Sequence, residues 1–188
     1  MLDFLKTEDD ALSLLKQDHD TVKELFTQFK DAESMEEKKK IAVQAITELR
    51  IHATIEEELF YPALRGREEV KQDLLNESDE EHHVAKLLIA ELMQMTTVDH
   101  FPAKFTVLAE NIEHHIKEEE NELFPQARRT NVDLVKLGKL LQARKDDLKK
   151  NGIPLNAEEK LMARNAPADS PADAARKKPR IATPLKAA

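Results

Sequence analysis

The chain has 188 residues, a net charge of −8, 35% charged residues, 4% aromatics, three glycines and no cysteine. That length suits one domain with a real core plus a tail, and scarce glycine among many Glu, Lys, Leu and Ala residues favours an all-helical protein. Without cysteine the chain supplies no disulfide, thiolate nucleophile or iron–sulfur ligand, and without a long uncharged run it has no candidate membrane span or signal peptide, so a soluble cytoplasmic protein is expected.

Thr7 with Asp10 reads as a capping box opening the first helix. Its stripe is Leu12, Leu15, His19, Val22, Phe26 and Phe29, at three- and four-residue steps as far as about Ala32. Ser34-Met-Glu-Glu37 reads as a second box, and the helix after it places Ile41, Ala45, Leu49, His52, Ile55, Glu56 and Leu59 on one face until Pro62 interrupts it. Residues 63–77 read as a short helical connector punctuated by Gly66. Ser78-Asp-Glu-Glu81 then predicts the start of a third helix, with His82, Ala85, Ile89, Leu92 and Met95 inward and Thr96-Thr97 at its end.

Pro102 suits the first turn of a fourth helix, with His100 exposed just before it. Its stripe is Phe105, Leu108, Ile112, His115 and Glu119, closing near Pro125. Four similar helices with short connections predict an up-down-up-down four-helix bundle. Asn131 is expected to cap an additional C-terminal helix built on Val132, Val135, Leu137, Leu140, Leu141 and Leu148, which ends at Asn151-Gly152. Residues 1–150 thus form the bundle with its fifth helix, and 151–188 a flexible, disordered basic tail, with one short helical turn at most near Asn156-Ala-Glu-Glu159. Residues 153–188 hold seven Lys or Arg and four Asp or Glu, which leaves −11 on residues 1–152. An acidic body is a poor nucleic-acid binder and suits a carboxylate-rich site.

One offset runs through the chain. His52-xxx-Glu56-Glu57 ending in Phe60-Tyr61-Pro62 recurs 63 residues later as His115-xxx-Glu119-Glu120 ending in Leu123-Phe124-Pro125. The same offset carries Asp18-His19 onto Glu81-His82 and Lys23 onto Lys86, so the unit is an internal duplication. A lone inward histidine is ordinarily a hydrogen-bonded core residue, and a His-xxx-Glu pair is common on exposed helices. Four inward histidines in a duplicated pattern, two of them with Glu one turn on, instead concentrate six metal ligands: His19, His52, Glu56, His82, His115 and Glu119. A cation pair removes the cost of burying them. His83 and His114 have no counterparts under the offset and read as flanking groups. Glu57 and Glu120, about 100° further round an α-helix, are expected to face solvent or a neighbouring helix, with Glu120 a substitute ligand candidate.

These residues, with the Glu-Glu-xx-apolar-apolar-Pro endings, resemble the hemerythrin-like, or HHE cation-binding, family over residues 10–127. The resemblance implies a centre of two non-haem iron ions (Fe2+/Fe3+), open to an oxo or hydroxo bridge. His19 and His52 would hold one iron, His82 and His115 the other, and Glu56 and Glu119 would bridge. Oxygen-carrying members have a fifth histidine where this chain has Ser78, and an Asp as second bridge where it has Glu120, so each iron keeps an open position. The expected function is therefore binding or sensing of a small ligand such as O2, NO or H2O2, or iron handling in oxidative or nitrosative stress. A peroxide-decomposing di-iron enzyme and a metal-independent helical interaction module are the alternatives. No nucleic acid or membrane is expected as a partner.

Overall fold

The computed structural model describes residues 10–95 and 99–165. Thr7, the Thr96-Thr97 helix end and the basic run from Arg176 lie outside these residues. Six continuous helices make up the described chain: α1 (Ala11–Asp31), α2 (Met35–Ile55), α3 (Gln72–Gln94), α4 (Phe101–Glu118), α5 (Leu134–Asn151) and α6 (Ala157–Asn165). The first four form the expected bundle as two hairpins, α1 with α2 and α3 with α4. α5 lies across α1 and α2, and α6 returns to α3.

Local chemistry sets most boundaries. Asp10 is itself the cap of α1, its Oδ1 accepting from Ser13 N at 2.8 Å, and Ser34 caps α2 by accepting from Glu37 N at 3.1 Å. Two expected caps are corrected. Ser78 lies inside α3, which begins at Gln72, and its hydroxyl donates to Leu74 O at 2.9 Å. Asn131 accepts from Arg67 Nη1 instead, and Asp133 caps α5 through Lys136 N. Residues 157–165, assigned from sequence to a single turn in a flexible tail, form a nine-residue helix. Its start is a reciprocal box: Asn156 Oδ1 accepts from Glu159 N at 2.7 Å, and Glu159 Oε2 accepts from Asn156 N at 3.0 Å.

The prolines act differently from the expectation that Pro62 stops α2. α2 continues through a π-helical turn, Glu56–Phe60, into a last α turn, Tyr61–Leu64; α4 does the same through Glu119–Leu123 into Phe124–Ala127. Pro62 and Pro125 have no N–H, and their rings crowd the carbonyl four residues back. The ladder slips by one: Tyr61 N–H reaches Glu56 O and Phe124 N–H reaches Glu119 O. Both wide turns begin at the Glu that the duplication places one turn after a histidine.

Apolar side chains form two separate clusters. One gathers Leu15, Phe60, Leu64 and Leu75 with Leu141 and Leu148 of α5; the other gathers Val22, Phe26, Phe29, Leu49, Phe105 and Leu108. A buried polar layer lies between them. The Phe105 ring is fully buried and sits 4.1 Å from that of Phe29 and 5.8 Å from that of Phe26, centroid to centroid. Phe105→Ala should cost about 3–5 kcal/mol in urea unfolding, since a fully buried ring is lost and the packed cluster around it closes the cavity only in part. A loss under about 1 kcal/mol would mean this cluster does not hold the bundle together.

Candidate metal centre

Each of the four bundle helices contributes one buried histidine to the polar layer: His19 from α1, His52 from α2, His82 from α3 and His115 from α4. The rings meet in two pairs. His19 Nε2 lies 3.1 Å from His52 Nε2, and His82 Nε2 lies 3.2 Å from His115 Nε2. Glu56 joins the pairs, with Oε1 3.1 Å from His52 Nε2 and Oε2 3.5 Å from His82 Nε2. Glu119 does so with one oxygen, Oε2, at 3.3 Å from His19 Nε2 and 3.7 Å from His115 Nε2. All six residues singled out from the sequence thus converge. Their atoms fall into two overlapping groups, His19, His52, Glu56 and Glu119, and Glu56, His82 and His115, with ligand atoms in each group within 4.8 Å of one another.

The far nitrogen of every ring faces a carboxylate. Glu120 Oε1 is 3.1 Å from His19 Nδ1, Glu57 Oε1 2.9 Å from His82 Nδ1, and Glu81 Oε2 2.7 Å from His115 Nδ1. Asp18 Oδ2 stands further off, 3.6 Å from His52 Nδ1. These acids obey the duplication, Asp18 falling on Glu81 and Glu57 on Glu120. A carboxylate at Nδ1 holds the proton there and leaves a lone pair at Nε2. Each is steadied in turn by a cation or imidazole: Glu120 by Lys23 at 2.9 Å, Glu57 by Lys86 at 2.6 Å, Asp18 by Lys145 of α5, and Glu81 by His114 at 3.7 Å. Sequence reasoning brought only Glu120 of these acids near the site, as a substitute ligand, and gave none of them this role behind a ring. The 63-residue offset was the signal that could have found them.

The electrostatics follow from this crowding. Burial alone would lower the His52 pKa, but the Glu56 charge and the Asp18 carboxylate outweigh it and raise it to about 10. His115 is raised against its own burial by Glu119 and Glu81. Glu119 is held far below the usual carboxylate range, because His115 and His19 overcome the upward push of burial. Burial, followed by the charges of Glu119 and Glu56, keeps the Tyr61 hydroxyl protonated, and it donates to Glu119 Oε1 at 2.9 Å.

A metal fits this donor set. Both oxygens of Glu56 and Oε2 of Glu119 are buried without a hydrogen-bond partner. Facing lone pairs on Nε2 atoms 3.1 Å and 3.2 Å apart repel unless a proton or a cation lies between them. Imidazole and carboxylate together suit a first-row transition ion. His83 and His114 stay outside, pairing with Glu158 at 2.8 Å and Glu118 at 3.3 Å; Glu120 serves His19 Nδ1 and does not reach the Nε2 layer. His100 is exposed at the start of α4, as expected. A cavity of about 200 Å³ beside the layer is lined by the four histidines with Asp18, Glu57, Leu49 and Ile89.

Residues 10–127 match the hemerythrin HHE cation-binding domain. The chain belongs to that family. A crystal structure of a hemerythrin HHE cation-binding domain-containing protein from Mycobacterium kansasii is similar, with 23% identity and a TM-score of 0.63, covering 81% of this chain and 98% of that one; at this identity the likeness shows a shared fold. No curated protein matches significantly. No helix among the described residues is long and apolar enough to cross a membrane.

Protons and metal should compete for this HHE centre. In the metal-free chain His52 is raised from 6.5 to about 10, so its contribution to stability is full below 6.5 and is lost as pH rises toward 10. Metal needs the neutral ring, so the gain in melting temperature on metal addition should be larger near pH 8 than near pH 6. Thermal unfolding with and without metal at both pH values measures this. An increment that shrinks with rising pH would contradict it.

Proposed function

We propose that this chain is a non-haem di-iron protein that binds or senses a small ligand such as O2, NO or peroxide, or handles iron under oxidative or nitrosative stress. In this reading His19 and His52 hold one iron, His82 and His115 the other, and Glu56 and Glu119 bridge them. The observation that carries it is the pair of facing Nε2 sets joined by partnerless Glu56, with both oxygens turned inward. A bound iron pair would supply open coordination positions and one- or two-electron exchange.

The chain's own residues supply the rest. Asp18, Glu57, Glu81 and Glu120 hold the four rings in the tautomer that presents Nε2. Tyr61 ties down Glu119 Oε1 and leaves Oε2 facing the layer. Ser78, standing where oxygen carriers have a fifth histidine, turns its hydroxyl to Leu74 O and offers the centre no ligand. The apolar clusters on either side limit water, which favours reversible capture of a neutral diatomic. A cytoplasmic location belongs to the same reading. Peroxide breakdown is the second reading, favoured by the buried, protonated Tyr61 hydroxyl, a proton donor 3.5 Å from His82 Nε2.

Anaerobic loading with ferrous iron should give a stoichiometry near two per chain, lost in the double variant His52→Ala, His115→Ala. Glu57→Gln should weaken metal binding by about 10- to 100-fold while leaving the helix content intact. Optical changes on adding O2, NO or peroxide to the loaded protein identify the ligand, and oxygen evolution from peroxide separates the enzyme from the sensor. Uptake well under two ions, unchanged in the double variant, would overturn the di-iron reading and favour a metal-independent module.

A further inference from the structure

Residues 145–159 lie beyond the span that matches the family, yet they touch the centre in two places. Lys145 on α5 donates to Asp18 Oδ1, and Asp18 is the acid behind His52 Nδ1. The duplication supplies Lys23 for Glu120 and Lys86 for Glu57, but no lysine for Asp18, so α5 provides the missing cation. Gly152 then turns the chain with φ 91° and sends Ile153–Asn156 back across the bundle. Ile153, Pro154, Leu155 and Asn156 form one wall of the cavity whose other walls include His19, His52, His82 and His115.

This strap is latched. Arg50, two residues before His52, forms an ion pair with Glu159 at 2.7 Å and donates through Nη2 to Glu159 Oε2 at 2.9 Å and to Pro154 O at 3.2 Å. The side chains of Arg50 and Glu159 are only 8% and 3% exposed. A buried ion pair adds little net stability, whereas breaking one is costly, so its effect here is to fix where the strap lies. A nine-residue helix hardly persists alone, so α6 depends on this latch, its capping box and the contact of Glu158 with His83.

We propose that Lys145 to Glu159 form a clasp on the metal centre: Lys145 positions His52 through Asp18, while the strap Ile153–Asn156, latched by Arg50–Glu159, governs the rate at which ions and small ligands exchange with the four histidines. The proposal rests on the di-iron reading. The full chain, loaded anaerobically with ferrous iron, is mixed with excess ferrozine and the release rate followed by absorbance. Glu159→Gln and Leu155→Ala should each speed release at least about tenfold with the bound stoichiometry unchanged, because both raise the population in which the strap is open. Leu155 is half-buried and outside the latch, so Leu155→Ala keeps its fold even if Glu159→Gln loses stability. Lys145→Met should also speed release and shift the optical spectrum of the cobalt-loaded site, and Lys145→Arg should restore both. Wild-type release rates in Glu159→Gln and Leu155→Ala overturn the clasp while leaving the centre standing. A wild-type chain that takes up no iron overturns the centre itself.

Discussion

Six buried donors with too few protons between them are the constraint around which this chain is built. Four imidazoles and two carboxylates are buried in one layer, and three carboxylate oxygens there have no hydrogen-bond partner. An unpartnered buried charge costs several kcal/mol, more than most single contacts contribute. The rest of the bundle answers that cost. Acids behind the rings keep protons on the outer nitrogens, lysines behind three of the acids and His114 behind Glu81 balance their charge, and aromatic and aliphatic side chains fill the space on either side. The separation of the core into two clusters is the same fact seen from the apolar side.

Duplication explains how so much polar geometry is held by so little special sequence. Each half supplies one histidine with an acid before it and one histidine with a Glu-Glu pair one turn on. The acid of the first kind serves the ring of the second, as Asp18 serves His52 and Glu81 serves His115. The second Glu of each pair crosses between the halves, Glu57 to His82 and Glu120 to His19. Each half therefore orients a ring of the other. The hairpins cannot slide apart without exposing Nδ1 protons to a void.

Much of this was legible in the sequence, for a physical reason. Helical period and the 63-residue offset are independent signals, and where both selected a residue, as with His19, His52, Glu56, His82, His115 and Glu119, the structure gathers it into the layer. What escaped detection lay where one signal stood alone. Ser78 with Glu81 matches a capping box, but α3 has no side-chain cap at its true start, Gln72, so the local signal points too far along the chain. α6 has few apolar residues, and its helix depends on Arg50, more than 100 positions away. For Glu57 and Glu120 the helical period left two directions open, solvent or a neighbouring helix, and the structure takes the second, with Glu57 meeting His82 and Glu120 meeting His19 on the other hairpin.

The two halves are not equivalent, and the difference falls on the bridging acids. Tyr61 and Phe124 occupy the same place in the repeat. Phe124 stacks on His19, with ring centroids 5.7 Å apart and planes 7° from parallel, and offers no donor. Tyr61 lies 5.6 Å from His82 at 37° and donates its hydroxyl proton across the layer to Glu119. Glu56 therefore keeps both oxygens free to span the two histidine pairs, while Glu119 is left with one. A single hydroxyl, added to one copy of an otherwise repeated ending, makes two like carboxylates into one that spans with two atoms and one that reaches both pairs through a single atom.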